Sequence, residues 1–133
     1  MFTFKKAFSS CSVNDLPKAR IFYSEVLGVP VKETPEGLSI QISPDYTIFL
    51  YPKPNHSPAS YTMLNFQVDS VEETVDRLTA AGVVFLQYEG ELQTDKKGIF
   101  RNPNSPVIAW FTDPAGNILS VVEDRYADGR TAP

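Results

Sequence analysis

Apolar and polar side chains alternate in two short runs, each ending at a valine and each followed by a stripe of apolar positions at helical spacing. From Lys6 to Val13 the alternation puts Phe8, Ser10 and Ser12 on one face and Ser9, Cys11 and Val13 on the other, predicting a strand. Asn14 or Asp15 can cap the helix that follows, and Pro17 is tolerated in its first turn, where its missing N–H has no partner. Ala19, Phe22, Tyr23, Val26 and Leu27 recur at three- and four-residue steps, and Gly28 is the expected stop. Three more strands are predicted near Pro30–Glu33, Leu38–Ile42 and Thr47–Tyr51, with turns at Pro35-Glu36-Gly37 and Ser43-Pro44-Asp45.

The plan then repeats. Leu64, Phe66 and Val68 alternate with Met63, Asn65 and Gln67, and Ser70 and Glu73 form a capping box before Val71, Val75 and Leu78. Gly82 stops this second helix. Val13 and Val68 differ by 55 positions and Gly28 and Gly82 by 54, so the offset holds to within one residue. A period of that size implies a duplicated supersecondary unit. Strands are expected near Val83–Leu92, Val107–Thr112 and Ile118–Glu123, with Asp113-Pro114-Ala115-Gly116-Asn117 as a tight turn. The fold class is therefore α+β, with module one over residues 4–52 and module two over 61–123. A linker at 52–60, rich in proline, joins them; a polar loop from Gln93 to Pro106 is present in the second module only, and residues 124–133 read as a flexible tail.

Composition narrows the role more than the fold. The chain has 133 residues, enough for a core without staples, and 42% hydrophobic content is ordinary for a globular protein. A net charge of −4 with scattered Lys and Arg argues against a nucleic acid or an anionic membrane as partner. One cysteine, Cys11, excludes an internal disulfide and a thiolate metal cluster, and it reads as a small buried hydrophobe. There is no apolar run of membrane length and no signal-peptide pattern at the start, so the expected location is the cytoplasm.

Two motifs carry a resemblance. The run Ser12-Val13-Asn14-Asp15-Leu16-Pro17-Lys18-Ala19-Arg20-Ile21-Phe22-Tyr23, followed by Val26-Leu27-Gly28, resembles the opening of vicinal oxygen chelate proteins. These include glyoxalase I, bleomycin and fosfomycin resistance proteins, and extradiol dioxygenases. Phe111-Thr112-Asp113-Pro114-Ala115-Gly116-Asn117-Ile118-Leu119 is similar to the D-P-x-G-N turn of the same superfamily. The resemblance covers residues 4 to 123 and implies two βαβββ modules whose sheets form an open cup with helices outside, in a homodimer.

The resemblance also implies four metal-ligand positions in metal-using members, on the first and last strands of each module. In this chain they fall on Phe8, Phe49 (Leu50 if the register slips by one), Met63 and Ser120, none a credible ligand for a divalent cation. The single histidine, His56, lies in the linker and reads as a solvent-exposed loop residue. No metal and no cofactor are expected. Phe8, Phe49, Met63 and Trp110 would instead line a hollow with Ser10, Asn65 and Ser120 as polar groups, the recipe of a small-molecule pocket. Ser12 and Gln67 add polar groups on the same faces. The leading expectation is a metal-independent protein that binds an apolar or aromatic small molecule. The alternatives are a related lyase or oxidoreductase with a displaced or absent metal site, and a closed hollow serving dimerisation or regulation.

Overall fold

Asp15 stands in extended conformation, and its carboxylate accepts the Lys18 backbone N–H at 3.1 Å. That cap opens helix α1, Leu16–Ile21, after strand β1, Ser9–Val13. The helix widens into a π-helical turn at Phe22–Val26, where Leu27 donates to the Phe22 carbonyl at 2.9 Å. In this computed structural model, which describes residues 1–123, the chain forms two units, the first ending at Pro58 and the second beginning at Ala59. The expected tail, 124–133, lies outside the described residues.

In the first unit β2 (Val31–Thr34), β3 (Gly37–Ser43) and β4 (Tyr46–Pro52) follow the helix. The sheet order is β1-β4-β3-β2, with β1 parallel to β4 and the other pairs antiparallel. Val13, Leu38, Ile40, Ile48 and Leu50 are buried on one face with Ala19 and Tyr23 of the helical segment. Each fully buried Val, Leu or Ile contributes about 1.5–3 kcal/mol, so this face fixes the register. The first strand starts at Ser9 rather than Lys6, because residues 1–8 are exposed and nothing they bury offsets the entropy of ordering them.

The second unit repeats the order with β5 (Thr62–Val68), α2 (Val71–Ala80), β6 (Ile99–Phe100), β7 (Val107–Thr112) and β8 (Ile118–Glu123). Its sheet is β5-β8-β7-β6, with β5 parallel to β8. Each sheet stays open, and the α+β, two-module βαβββ reading holds. Ser70 caps α2 by accepting from the Glu73 N–H, while the Glu123 carboxylate accepts from the Val71 N–H at 2.9 Å. Leu119, Val121, Ala109 and Phe111 form the buried face with Val71 and Val75.

The expected strand at Val83–Leu92 is not formed. Alternation holds for three residues, Val83 and Phe85 buried about an exposed Val84, and Phe85 makes an isolated bridge to Phe111. Thr94 then takes both backbone groups of Tyr88, its hydroxyl accepting the Tyr88 N–H and its own N–H donating to the Tyr88 carbonyl, which closes a loop over a 3₁₀ turn at Gly90–Leu92. The module's missing strand, β6, comes instead from within the segment read as a polar loop. Gly98 permits it: a Cβ there would stand 2.7 Å from that of Phe85.

Candidate functional site

Strand alternation separates a helix-covered face from a second face in each sheet, and five of the sequence-derived site residues, Ser10, Phe49, Asn65, Trp110 and Ser120, lie on the second. In the first unit Ser10 pairs with Phe49, Ser12 with Tyr51 and Ser39 with Phe49 across the ladders. The Phe49 and Tyr51 rings stack at 6.3 Å and 16°. Ser39 accepts from the Gln41 side-chain amide at 2.8 Å. In the second unit Asn65 pairs with Ser120, which pairs in turn with Trp110. Ser120 is fully buried, and its hydroxyl donates to Asn65 Oδ1 at 2.5 Å.

The two registers are equivalent. Ser10 opposite Phe49 occupies the place that Asn65 opposite Ser120 occupies in the repeat, so Phe49, not Leu50, is the counterpart of Ser120. Leu50 is fully buried on the helix side. Met63 stands half-buried at a register shift between Thr62 and Leu64. Phe8 precedes β1 and is 58% exposed, so the strand does not hold it.

Aromatic side chains that sequence pattern did not single out complete this face of the second unit. Tyr88 meets Trp110 edge-on at 5.4 Å and 89°, and Phe100 lies at 6.1 Å from the same ring. No periodicity marks Tyr88, which sits where alternation has already lapsed. Two perpendicular rings beside an amide and a hydroxyl give flat apolar walls with directional polar contacts, suited to holding an aromatic molecule by stacking and a few hydrogen bonds.

The residues at the metal-ligand positions do not fit a divalent cation. Phe8 and Phe49 carry no lone pair, Met63 offers a thioether, and the Ser120 hydroxyl already donates to Asn65. Among the described residues no three His, Cys, Asp or Glu side chains form a group that could hold an ion. His56 departs from the exposed-loop reading: it is half-buried, and its Nδ1 lies 2.6 Å from Ser12 Oγ.

Lys97 and Arg101 are engaged within the unit. Lys97 reaches Asp76 at 2.9 Å and Glu72 at 3.4 Å on α2, and Arg101 reaches Glu72 and Asp95, each at 3.5 Å. Burial acts to raise the Asp95 pKa, but the Ile99 and Lys97 N–H groups and the Arg101 guanidinium outweigh it and hold the carboxyl below its ordinary value. The hydrogen bond to Asp76 raises Lys97, with Glu72 adding to it. A shallow, open depression of about 330 Å³ lies at the start of α2 between Gln67 and Arg77. It is polar and away from Trp110, and Ser70 and Glu123 already satisfy N–H groups at that helix end.

The Asp113–Asn117 turn is built inward. Asp113 and Asn117 are buried, and Asp113 Oδ1 accepts the Ala115 and Asn117 N–H groups at 2.9 Å while Oδ2 accepts the Asn117 amide at 3.0 Å. It joins β7, which carries Trp110, to β8, which carries Ser120.

Duplicated βαβββ units with this turn define a vicinal oxygen chelate fold, and residues 10–121 match the model of the Glyoxalase/Bleomycin resistance protein/Dioxygenase superfamily. The chain belongs to that superfamily. Its fold is similar to TnmS3, an antibiotic binding protein from Streptomyces sp. CB03234, at 25% identity and a TM-score of 0.64 over 92% of this chain and 98% of that one. A lactoylglutathione lyase from Agrobacterium tumefaciens is similar at 20% identity and a TM-score of 0.66, covering 92% of this chain and 96% of its own. The fosfomycin resistance protein FosX from Listeria monocytogenes is similar at 16% identity and a TM-score of 0.67, covering 92% and 94%. No curated protein matches the sequence. No helix among the described residues is long and apolar enough to cross a membrane.

Proposed function

We propose that this protein binds a small apolar or aromatic molecule without a metal ion. The observation that carries the reading is the second unit's sheet face, where Trp110, walled by Tyr88 and Phe100, adjoins the hydrogen-bonded pair Asn65 and Ser120. Ligand contacts are assigned to Asn65, Trp110 and Ser120 on this face, with Met63 at its margin; Ser10 and Phe49, with Phe8 beside them, are the matching assignments on the first unit's own face. Likeness to an antibiotic binding protein supports a sequestering role, with the ligand held chiefly by stacking and apolar contact. Metal independence is supported by the donor set, since phenyl, thioether and an engaged hydroxyl give a cation little to bind. A cytoplasmic homodimer completes the proposal; the acidic net charge argues against nucleic acid as a partner.

The test is a thermal-shift screen of aromatic antibiotics and divalent metals on chelator-treated protein, followed by Trp110 fluorescence titration. A molecule that prefers the folded state raises its apparent stability, and the chain's one tryptophan should report its arrival. Stabilisation by metal ions alone, or an activity abolished by the chelator, would turn the reading toward the lyase and oxidoreductase members.

A further inference from the structure

In the first unit the proline-rich segment after β4 folds back on β1. Lys53 donates its backbone N–H to the Val13 carbonyl at 3.0 Å, and His56 donates its own to the Lys53 carbonyl at 3.0 Å. These bonds bring the His56 imidazole to Ser12, with Nδ1 and Oγ 2.6 Å apart and both residues half-buried. Ser12 is the cross-strand neighbour of Tyr51, whose ring stacks with that of Phe49. A hydroxyl in hydrogen-bond contact with an imidazole, beside a flat aromatic ledge, has the parts of an activated nucleophile.

We propose that Ser12 and His56 form a nucleophile–base pair that accepts the acyl group of small aryl esters. With Nδ1 as acceptor, the ring proton sits on Nε2. As Ser12 Oγ bonds to the acyl carbon, its proton passes to His56 Nδ1, and the bond from that carbon to the aryl oxygen breaks. The electron pair leaves with the phenolate, and the proton on His56 Nδ1 passes to solvent, which returns the imidazole to its neutral form. Water then attacks acyl-Ser12, one of its protons passes through His56 back to Ser12 Oγ, and a carboxylic acid is released. Aryl esters are the class indicated because a phenolate departs without a general acid, and the Phe49–Tyr51 stack suits its ring. This activity goes beyond the binding role and does not rest on it, since Ser12 and His56 are not among the ligand contacts assigned above and no metal or Trp110 takes part.

The experiment uses p-nitrophenyl acetate on the full chain, following p-nitrophenolate release and mapping acetylated peptides by mass spectrometry. The expected result is release with the acetyl group on Ser12, slowed about 100-fold in His56→Gln. Ser12→Ala should lose both release and label, while Cys11→Ser should keep them. Acetylation confined to other side chains, release indifferent to His56→Gln, or no release at all overturns the proposal. The label is mapped in unaltered protein, so a folding defect in Ser12→Ala leaves the test intact. Stacking at Trp110 is read by fluorescence, so either property can fail alone.

Discussion

Asp113→Ala removes a carboxylate that is 3% exposed and that accepts at least three hydrogen bonds inside its own turn. Alanine leaves the Ala115 and Asn117 N–H groups and the buried Asn117 amide without that acceptor. A bond to a charged group contributes about 1.5–3 kcal/mol, but the three share one carboxylate and water entering the gap restores part, so the expected loss is about 3–5 kcal/mol. A domain of this size is stable by about 5–15 kcal/mol, so the variant should sit near the edge of folding at 37 °C. Asp113→Asn separates the contributions: its carbonyl can still accept the two backbone N–H groups, while the contact to the Asn117 amide is lost, for an expected cost of about 1–2 kcal/mol. Urea unfolding at constant slope measures both. Because the turn spaces Trp110 from Ser120, Asp113→Ala should also shift the tryptophan emission of the folded fraction. A loss below about 1 kcal/mol would refute the assignment of this motif as the bonded hinge of β7 and β8.

Gly37→Ala should destabilise the first unit by about 1–3 kcal/mol or more, because the added Cβ would stand 2.1 Å from the Leu50 carbonyl oxygen; an unchanged urea midpoint would contradict that contact. For any ligand found in the screen, Trp110→Ala should weaken binding at least about tenfold, or 1.4 kcal/mol, with Tyr88→Ala acting in the same direction, and calorimetric titration showing equal affinities would remove both from the site. The ion-pair cluster at Asp95 and Lys97 has a defined pH window. The Asp95 pKa is depressed in the folded protein, so its stabilisation is present above the ordinary carboxylate value near 3.8 and is lost as pH falls through the lower folded value. The Lys97 pKa is raised, so its contribution is present below 10.5 and is lost as pH rises through the higher folded value. Hydrogen exchange over residues 94–101 should therefore quicken at both extremes, and Asp95→Asn should abolish the acid limb only.

The duplicated plan could be read from residues because its signals are local. Asp15 and Ser70 cap helices where their spacing to apolar stripes says they should, and the strands expected near Leu38–Ile42 and Thr47–Tyr51 form as β3 and β4. β6 could not be read that way. It is two residues long, and the turn that sets it depends on Asp95 accepting the Lys97 and Ile99 N–H groups, a side-chain device inside a charged stretch with no period. The contacts of His56 and Tyr88 could not be read for a related reason: each reaches its partner through a folded-back loop, and neither Ser12 nor Trp110 is near it in the chain.

The repeat also bears on the proposed site. Equivalent ladder positions hold an apolar ring in one unit, Phe49, and a buried hydroxyl in the other, Ser120. Their neighbours on the edge strands are Ser10 and Asn65, so one unit sets a serine against phenylalanine where the other sets an amide against serine. Lone-pair donors are what a divalent cation needs, and at this position each unit falls short by its own means: Phe49 carries no lone pair, and the Ser120 hydroxyl is engaged by Asn65. On the proposed reading, the second unit's aromatic walls and fixed amide discriminate ligands by shape and by the direction of a hydrogen bond. Asn65→Leu should separate these contributions. It deletes the amide and leaves the Ser120 hydroxyl without its acceptor, so affinity for ligands bearing polar groups should fall while purely apolar aromatics keep theirs.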